Sequence, residues 1–379
     1  MIRSISCVSC MIILAVSFSA MAADASKIEQ VRNQFVQSNT QPDKAAEQVI
    51  DEFWLKSIDS MMLLEDTGEI VSLRRDLVKQ KGDKELSFYT SVYIKIADTH
   101  LKSALETIAS WEENAKKVRI ERNFMILISE LARMELADLA MTRINHSDLM
   151  VRYWAIRAVT SPQIVTQLTS DITRDEKLTA QIITALGEFV KKYDDNLAYP
   201  YIADFAAGIK SASGNSLLVA LADKRINAYM KWTVTDEAID ARILKTIGGL
   251  IFETVSTTSK QELLGRFGQL YSCAAQRHIL GTNLPASSKN QLETVICEVE
   301  NGVLEKMLPG SNNRFRNDLQ RNQPIDKTYE ALFGASGKAG ELSSRMNFDY
   351  GKDEAGKSLV VPRPLPAQPA AQPQPAAQP

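Results

Sequence analysis

Residues 351–358, Gly-Lys-Asp-Glu-Ala-Gly-Lys-Ser, match the phosphate-loop pattern G-x-x-x-x-G-K-[ST]. A working phosphate loop follows a buried strand and opens a helix, because amides at the helix N-terminus bind the phosphate oxygens. The residues before this stretch contain no apolar strand run, and those after it run into prolines, which cannot extend a helix. Asp353 and Glu354 would also repel phosphate. We therefore expect no nucleotide site here and no cofactor.

No other group of residues in the sequence has the spacing of a catalytic or metal site. The three histidines, His100, His146 and His278, are far apart, and no His-Glu-x-x-His motif occurs. Adjacent acids such as Glu112 and Glu113 point in different directions on a helix, so they do not form the carboxylate pair of a glycosidase. The sequence therefore predicts no catalytic residue and no metal ligand.

The first 22 residues have the pattern of a secretory signal peptide. Arg3 gives a positive start, Ile5–Phe18 is mostly apolar, and Ala20-Met21-Ala22 offers small residues before a cleavage point. The apolar run is shorter than the roughly 20 residues that a spanning helix needs. We expect an exported protein, periplasmic or extracellular, with no transmembrane segment in the mature chain.

Two cysteines, Cys273 and Cys297, remain after the expected cleavage. Cysteines of an exported chain usually pair, because the compartment is oxidising. They lie in two predicted helices, about equally far from a loop centred near residue 285. An antiparallel hairpin would put them at the same height, which predicts a Cys273–Cys297 disulfide. The alternative is a pair of unrelated buried thiols.

The charge of the chain is nearly balanced. It has 44 basic and 46 acidic residues, and no basic stripe is concentrated anywhere. A nucleic-acid-binding protein carries such a stripe as its electrostatic footprint. We therefore expect no nucleic-acid partner, and membrane-surface binding lacks support for the same reason.

Helical periodicity extends from about Lys27 to Phe333. Apolar residues recur there at the i, i+3, i+4 and i+7 spacing of amphipathic helices, and strand-like alternation does not occur. This pattern predicts an all-α fold.

Three segments in the middle of the chain share one packing frame. They begin at Asp148, Asp175 and Asp236 and carry apolar or small residues at positions +3, +7, +10 and +11. An aspartate at the start of a helix accepts hydrogen bonds from the amides of the first turn. Its negative charge also interacts favourably with the positive end of the helix dipole. We expect each aspartate to be a helix N-cap.

The first of these segments resembles the second-helix signature of HEAT-like repeat proteins. The residues that carry the resemblance are Asp148, Val151, Arg152, Ala155 and Val159. The resemblance implies stacked antiparallel helix pairs that form an α-solenoid, and it covers about Glu135–Val255. In the other two segments Thr179 and Asp240 replace the arginine of the family, so an irregular array is expected.

The composition divides the chain into four parts. They are the signal peptide, residues 1–22; an N-terminal region of irregular helices, residues 23–130; the HEAT-like region, residues 131–333; and a tail, residues 334–379. The tail is rich in Gly and Ser and then in Pro, Ala and Gln, with no apolar periodicity. Such a composition buries little apolar surface, which predicts disorder with polyproline-II character at the end.

One surface pair is a candidate for partner binding. If Val151 and Ala155 face the core, Tyr153 and Arg157 share the opposite face of the helix, one turn apart. Tyrosine and arginine are enriched at the centres of protein interfaces. The competing interpretation is a solvated pair one turn apart. Trp154 is expected to pack toward the core.

These features favour a non-catalytic binding or scaffolding protein of the cell envelope, which presents a helical-repeat surface to a protein or other envelope macromolecule. An all-helical envelope enzyme is the alternative, with carboxylates brought together by the fold to act on glycan or peptide. A spacer whose proline-rich tail contacts another envelope component is compatible with the first interpretation.

Overall fold

The computed structural model describes residues 26–82, 87–310, 313–353 and 355–369. The expected signal peptide, residues 1–22, lies outside the described residues, as does the end of the tail, residues 370–379.

The described residues form an all-α protein, as the periodicity predicts. The helices are α1 (26–38), α2 (Lys44–Leu63), α3 (Thr67–Gln80), α4 (Phe88–Ala109), α5 (Ala115–Leu131), α6 (Ala137–Met141), α7 (Leu149–Val159), α8 (Pro162–Thr169), α9 (Glu176–Lys192), α10 (Tyr199–Ile209), α11 (Ala212–Met230), α12 (Ile239–Glu253), α13 (Thr257–Leu280), α14 (Ala286–Val299), α15 (Glu305–Met307), α16 (Arg314–Gln320), α17 (Asp326–Phe333) and α18 (Glu341–Met346). A 3-10 turn, Met134–Leu136, precedes α6, and a π-helical turn, Glu300–Leu304, precedes α15. Two short antiparallel strands, Gly334–Ala335 and Lys338–Ala339, lie between α17 and α18.

Side-chain caps fix where many of these helices begin. In each case a carboxylate, amide or hydroxyl oxygen accepts a hydrogen bond from an amide of the first turn, which satisfies a donor that the helix itself leaves unpaired. The capping residues are Asp43, Asp66, Ser87, Asn114, Asp148, Asp175, Ser211 and Ser256. The N-cap predictions for Asp148 and Asp175 are therefore confirmed.

The third predicted cap is wrong. Helix α12 begins at Ile239, with Ala238 at its N-cap, and Asp236 lies before it with a φ of 51°. Asp240, a buried acid of this region, forms an ion pair with Arg225. The carboxylate of Asp236 instead accepts a hydrogen bond from the Asn196 side chain at 3.0 Å, a contact that the local spacing of the frame does not reveal.

The chain divides into two compact units between Gln167 and Leu168. The sequence instead placed a boundary after residue 130, close to the end of α5. Helix α5 packs extensively on α7, so that boundary would separate two helices that share one core.

The first unit is built on an aromatic core. Helix α2 contacts α3 and α4, α3 contacts α5, and α5 contacts α7. Trp54 and Tyr93 are fully buried with ring centroids 5.2 Å apart. The Tyr93 hydroxyl donates to the carbonyl of Leu77, 2.7 Å away, so burial of its polar group is compensated.

The second unit is built around α13. Helix α9 contacts α11, α10 contacts α11 and α12, α11 contacts α13, and α12 contacts α13 and α14. Almost every residue of α13 from Leu263 to Arg277 is buried. A helix that is buried all round lies inside its unit rather than on its surface.

The predicted disorder of the tail is not confirmed for residues 334–353 and 355–369. Leu342, Phe348, Tyr350 and Leu365 of this region are all buried. Residues far apart in the sequence supply the apolar surface that covers them, which composition alone does not show. Residues 334–353 and 355–369 therefore pack as part of the second unit.

Candidate functional site

Tyr153 and Arg157, the candidate pair for partner binding, lie side by side on α7, and both are half-buried. The Arg157 guanidinium carbon lies 5.9 Å from the ring centroid of Tyr153 and 5.0 Å from that of Trp154. The two aromatic rings meet edge to face, with centroids 5.4 Å apart. Trp154, which was expected to pack toward the core, is only half-buried, and its ring lies beside Arg157 in this cluster. The three side chains form a mixed aromatic and cationic patch.

The expected Cys273–Cys297 disulfide is not formed, and both cysteines are free thiols. Their helices, α13 and α14, do lie next to each other, as the hydrogen bond from the Tyr271 hydroxyl to the carbonyl of Ile296 at 2.9 Å shows. The thiols nevertheless face different neighbours. Cys273 Sγ accepts a hydrogen bond from Gln269, whereas Cys297 interacts with Arg316. Burial raises the pKa of Cys273 to about 12 and also raises that of Cys297.

In the stretch that matches the phosphate-loop pattern, residues 351–353 and 355–358 form a small hairpin, with Lys352 bridged to Ser358. The Asp353 amide donates to the carbonyl of Lys357 at 2.9 Å. The Asp353 carboxylate accepts from the amides of Ala355 and Lys357, at 3.0 and 2.8 Å. A carboxylate of the loop itself therefore binds two of the amides that a phosphate would need.

Two glycines of α13 allow the base of this hairpin to lie directly against the helix. A Cβ at Gly265 would lie 2.9 Å from the carbonyl oxygen of Asp349. A Cβ at Gly268 would lie 2.8 Å from the ring of Tyr350 and 3.0 Å from that of Phe348. The Gly-Arg-Phe-Gly sequence thus serves close approach of the tail to the helix.

Beyond the hairpin, two glutamines of α13 bind the main chain of the tail. The Arg363 amide donates to Gln269 Oε1 at 2.8 Å, and the Leu365 amide donates to Gln276 Oε1 at 2.6 Å. Both glutamine side-chain nitrogens donate to the carbonyl of Arg363, at 3.3 and 3.1 Å. The same two side chains therefore act as donors and acceptors for one extended segment.

This segment, residues 361–368, is called the tail segment below. Its sequence is Val-Pro-Arg-Pro-Leu-Pro-Ala-Gln, with Pro362 and Leu365 buried and Gln368 half-buried. Contacts at every third residue fit a polyproline-II helix, which has three residues per turn. The side chain of Gln368 also accepts from the amide of Asn283, at 3.3 Å.

A tryptophan from the loop between α11 and α12 completes the contact. The Trp232 indole nitrogen donates to the carbonyl of Pro366 at 2.9 Å. Trp232 has a φ of 60°, a conformation that bulky residues rarely adopt. Its ring lies 5.2 Å from the guanidinium of Arg277. Trp232, Gln269 and Gln276 together are called the α13 site.

Buried ion pairs hold the loop that carries Trp232. Arg277 pairs with Glu237 at 3.2 Å, and both side chains are almost fully buried. Arg225 pairs with Asp240 at 2.7 Å, and its guanidinium also donates to the carbonyl of Thr235 at 3.1 Å. Removing one partner of such a buried pair strongly destabilises the protein, because the other charge is left buried and unpaired. The pairs therefore restrict the positions that the loop can take.

A cavity of about 390 Å³ borders the tail segment on the side of α17. Leu280, Pro362 and Pro364 give it apolar walls, and Asp326 and Glu330 add acidic groups. Nearby, burial raises the pKa of Tyr329 to about 12, and its hydroxyl lies 2.8 Å from that of Ser272. The phenol is therefore neutral and hydrogen-bonded at ordinary pH.

The described residues contain no group of three or more His, Cys, Asp or Glu that could hold a metal ion. Each histidine instead lies beside a different carboxylate: His100 beside Asp51, His146 beside Glu121, and His278 beside Glu293. Among the helices that the structure describes, none has the length and apolar character to cross a membrane.

Comparison with known proteins finds no family model that matches the chain and no curated protein that is similar to it.

Sequence reasoning missed all three residues of the α13 site. Gln269 and Gln276 are seven residues apart, which places them two turns apart on one helix face. Prolines at 362, 364 and 366 mark a segment that strongly favours an extended conformation. Those two signals existed in the sequence, but nothing local connects them to each other.

Proposed function

We propose that the protein is a non-catalytic binding or scaffolding protein of the cell envelope, whose helical surface binds a macromolecular partner. The observation that carries this proposal is the docking of the tail segment on the α13 site. Helices of the second unit hold a non-helical polypeptide by its main chain. A surface that holds one extended segment in this way has the donors and acceptors to hold a segment of a protein partner.

A HEAT-like arrangement of α9–α14 is part of the proposal. Successive helices contact the next helix or the next but one, as stacked helix pairs do. The confirmed cap at Asp175, at the start of α9, supports the same interpretation, because capped helices are what such a repeat needs. Repeat arrays present long surfaces and bind partners without reactive residues.

The patch formed by Tyr153, Trp154 and Arg157 is the second proposed contact surface. Tryptophan, tyrosine and arginine are the residues most enriched at interface hot spots. The rings and the guanidinium hold one another in place, so little side-chain entropy would be lost on binding. This patch belongs to the first unit and is independent of the α13 site.

Export to the envelope is proposed from residues 1–22. The positive start, apolar run and small residues before Ala23 support it. Mass spectrometry of the protein recovered from the envelope fraction should give an N-terminus at Ala23. An intact Met1 in that fraction would contradict cleavage.

Affinity capture from envelope extracts tests the binding proposal. The bait is the full mature chain, compared with a Tyr153→Ala/Arg157→Ala variant and with Trp232→Ala. Arg75→Ala, on an exposed position of α3, is the matched control. We expect a partner that the control retains and one of the variants loses at unchanged thermal stability. Turnover of glycan or peptide by the purified chain, abolished by one carboxylate substitution, would contradict the proposal.

A further inference from the structure

The α13 site recognises main-chain groups of its occupant. The amides of Arg363 and Leu365 donate hydrogen bonds to the site, and the carbonyls of Arg363 and Pro366 accept hydrogen bonds from it. None of these contacts requires a particular side chain on the occupant. Another segment could make them if it is extended and has amides two residues apart.

The buried side chains of the tail segment define the shape of an occupant. Pro362 and Leu365 are buried, three residues apart, while Arg363 and Pro364 between them are exposed. Alternate prolines hold such a segment extended before it binds, so little conformational entropy is lost on docking. Aromatic-lined sites elsewhere bind proline-rich segments for this reason. The chemistry of the occupant is therefore a proline-rich segment with apolar residues three apart.

The geometry of Trp232 is a second and independent observation. Its left-handed backbone is strained for a residue with a large side chain. Stacking on Arg277, which is held in turn by Glu237, keeps the ring in place. The result of this arrangement is an indole N–H aimed at a carbonyl of the tail segment.

We propose that the α13 site is a binding site for a proline-rich segment of a partner protein, and that the tail segment is its resident intramolecular occupant. This inference rests on the proposed binding function and names its ligand class. The tail segment is tethered close by through the hairpin, so its effective concentration at the site is on the order of millimolar. A partner segment binds when it displaces the tail segment.

A labelled synthetic peptide of residues 360–369 tests the proposal on the full chain. The wild-type chain is compared with Leu365→Ala, which weakens the resident occupant and leaves the α13 site unchanged. Loss of the buried Leu365 contacts should let the variant bind the peptide about tenfold more tightly than wild type. Fluorescence anisotropy measures the affinity.

Two variant peptides provide a matched control that cannot disturb folding of the protein. Pro362→Ala and Pro364→Ala make the same chemical change, but only Pro362 is buried. We expect the first to weaken binding to the Leu365→Ala chain about tenfold and the second to change it less than threefold. Equal effects of the two peptides would overturn the assigned contacts.

A protein-side variant locates the peptide on α13. Gln276→Glu keeps an acceptor for the Leu365 amide but loses the donor to the Arg363 carbonyl. Placed in the Leu365→Ala chain, it should reduce peptide affinity about tenfold, whereas Gln181→Glu on the exposed side of α9 should not. Circular dichroism identifies any variant that has failed to fold.

Failure of this inference is distinguishable from failure of the proposed function. A folded Leu365→Ala chain that does not bind the peptide overturns the inference, even if an envelope partner is still captured. A concentration-dependent dimer of the wild-type chain that is lost in Gln276→Glu would make a second copy the occupant, and would also overturn it. Peptide binding without any captured partner would contradict only the proposed function.

Discussion

Residues 351–358 and residues 361–368 are neighbours in the chain. The first stretch has the sequence of a binding site that it does not form, and the second makes specific contacts that its sequence does not suggest. The first matches a phosphate-binding motif letter for letter, and two of its amides donate hydrogen bonds to its own Asp353. The second is low in complexity, and its main chain makes specific contacts with Gln269, Gln276 and Trp232.

The contrast between the two stretches shows which main-chain groups of this molecule are able to bind. A motif binds a ligand only if its main-chain groups are left available by the surrounding structure. The hairpin has no helix behind its loop, so its amides turn inward. The tail segment has prolines at alternate positions, so its remaining amides point to a neighbour that can accept from them.

The largest expected effect comes from removing the support of Trp232. Arg277→Met leaves Glu237 buried without its partner, which should lower the free energy of unfolding of the second unit by about 3–5 kcal/mol. Urea denaturation measures the change. Arg242→Met, which breaks an exposed pair with Asp204, is the control and should cost about 1 kcal/mol or less. Equal costs would show that the buried pair does not support the loop.

Thiol alkylation tests the burial of α13, the helix on which the tail segment lies. The pKa of Cys273 is raised to about 12, so at pH 8 only about one thiol in 10⁴ is ionised. Cys273 should react at least 100-fold more slowly than in the unfolded chain, with a rate that rises about tenfold per pH unit below that pKa. Half-buried Cys297 should react first. Mass spectrometry after alkylation measures both, and a disulfide between them would contradict the structure.

Leu365→Ala tests whether the hairpin and the tail segment open independently of each other. Burial of a leucine side chain contributes about 1.5–3 kcal/mol, so local opening of the tail segment should become about 10–100 times more frequent. Amide hydrogen exchange at Arg363 and at position 365 should accelerate accordingly. Exchange at Ala355 and Lys357 should not change. Acceleration at all four amides would mean that hairpin and tail segment open together.

Asp353→Ala is the reciprocal experiment. It removes the acceptor of two hydrogen bonds inside an exposed hairpin, each contributing about 0.5–1.5 kcal/mol. Exchange of the Lys357 amide should accelerate about 3- to 10-fold, with the Arg363 and Leu365 amides unaffected. An effect confined to Arg363 and Leu365 would reverse the roles assigned to the two stretches.

The smallest expected effect belongs to the lysine of the motif. Lys357 is exposed, so Lys357→Ala should change the free energy of unfolding by no more than about 0.5 kcal/mol. Isothermal titration with ATP should give no signal for either chain. ATP binding by wild type that the variant loses would restore the phosphate interpretation.

The fold class and the caps at Asp148 and Asp175 could be predicted because their signals are local. Apolar spacing and a capping side chain act within one or two helical turns. The prediction that Asp236 is a cap was wrong because its backbone is left-handed and its carboxylate accepts from Asn196, a residue 40 positions away in the sequence.

The candidate site could not be predicted because its contacts are distant in sequence. Gln276 and Leu365 are separated by 89 residues, and neither segment carries a sign of the other. The predicted Cys273–Cys297 disulfide was wrong for a geometric reason. Counting residues to the hairpin loop gives the height of Cys273 and Cys297 along their helices, but not the direction in which each side chain points around the helix axis.

The alternating prolines of the tail segment have a consequence for the free segment. Adding a strand to a sheet requires an amide donor at successive positions along one edge, and Pro362, Pro364 and Pro366 have none to offer. An extended segment released from a folded chain is ordinarily a template for intermolecular β-pairing and aggregation. Because these prolines fall at alternate positions, they share one edge of the extended segment, and only the other edge, with the amides of Arg363 and Leu365, keeps donors for such pairing. The released tail segment therefore offers one pairing edge instead of two.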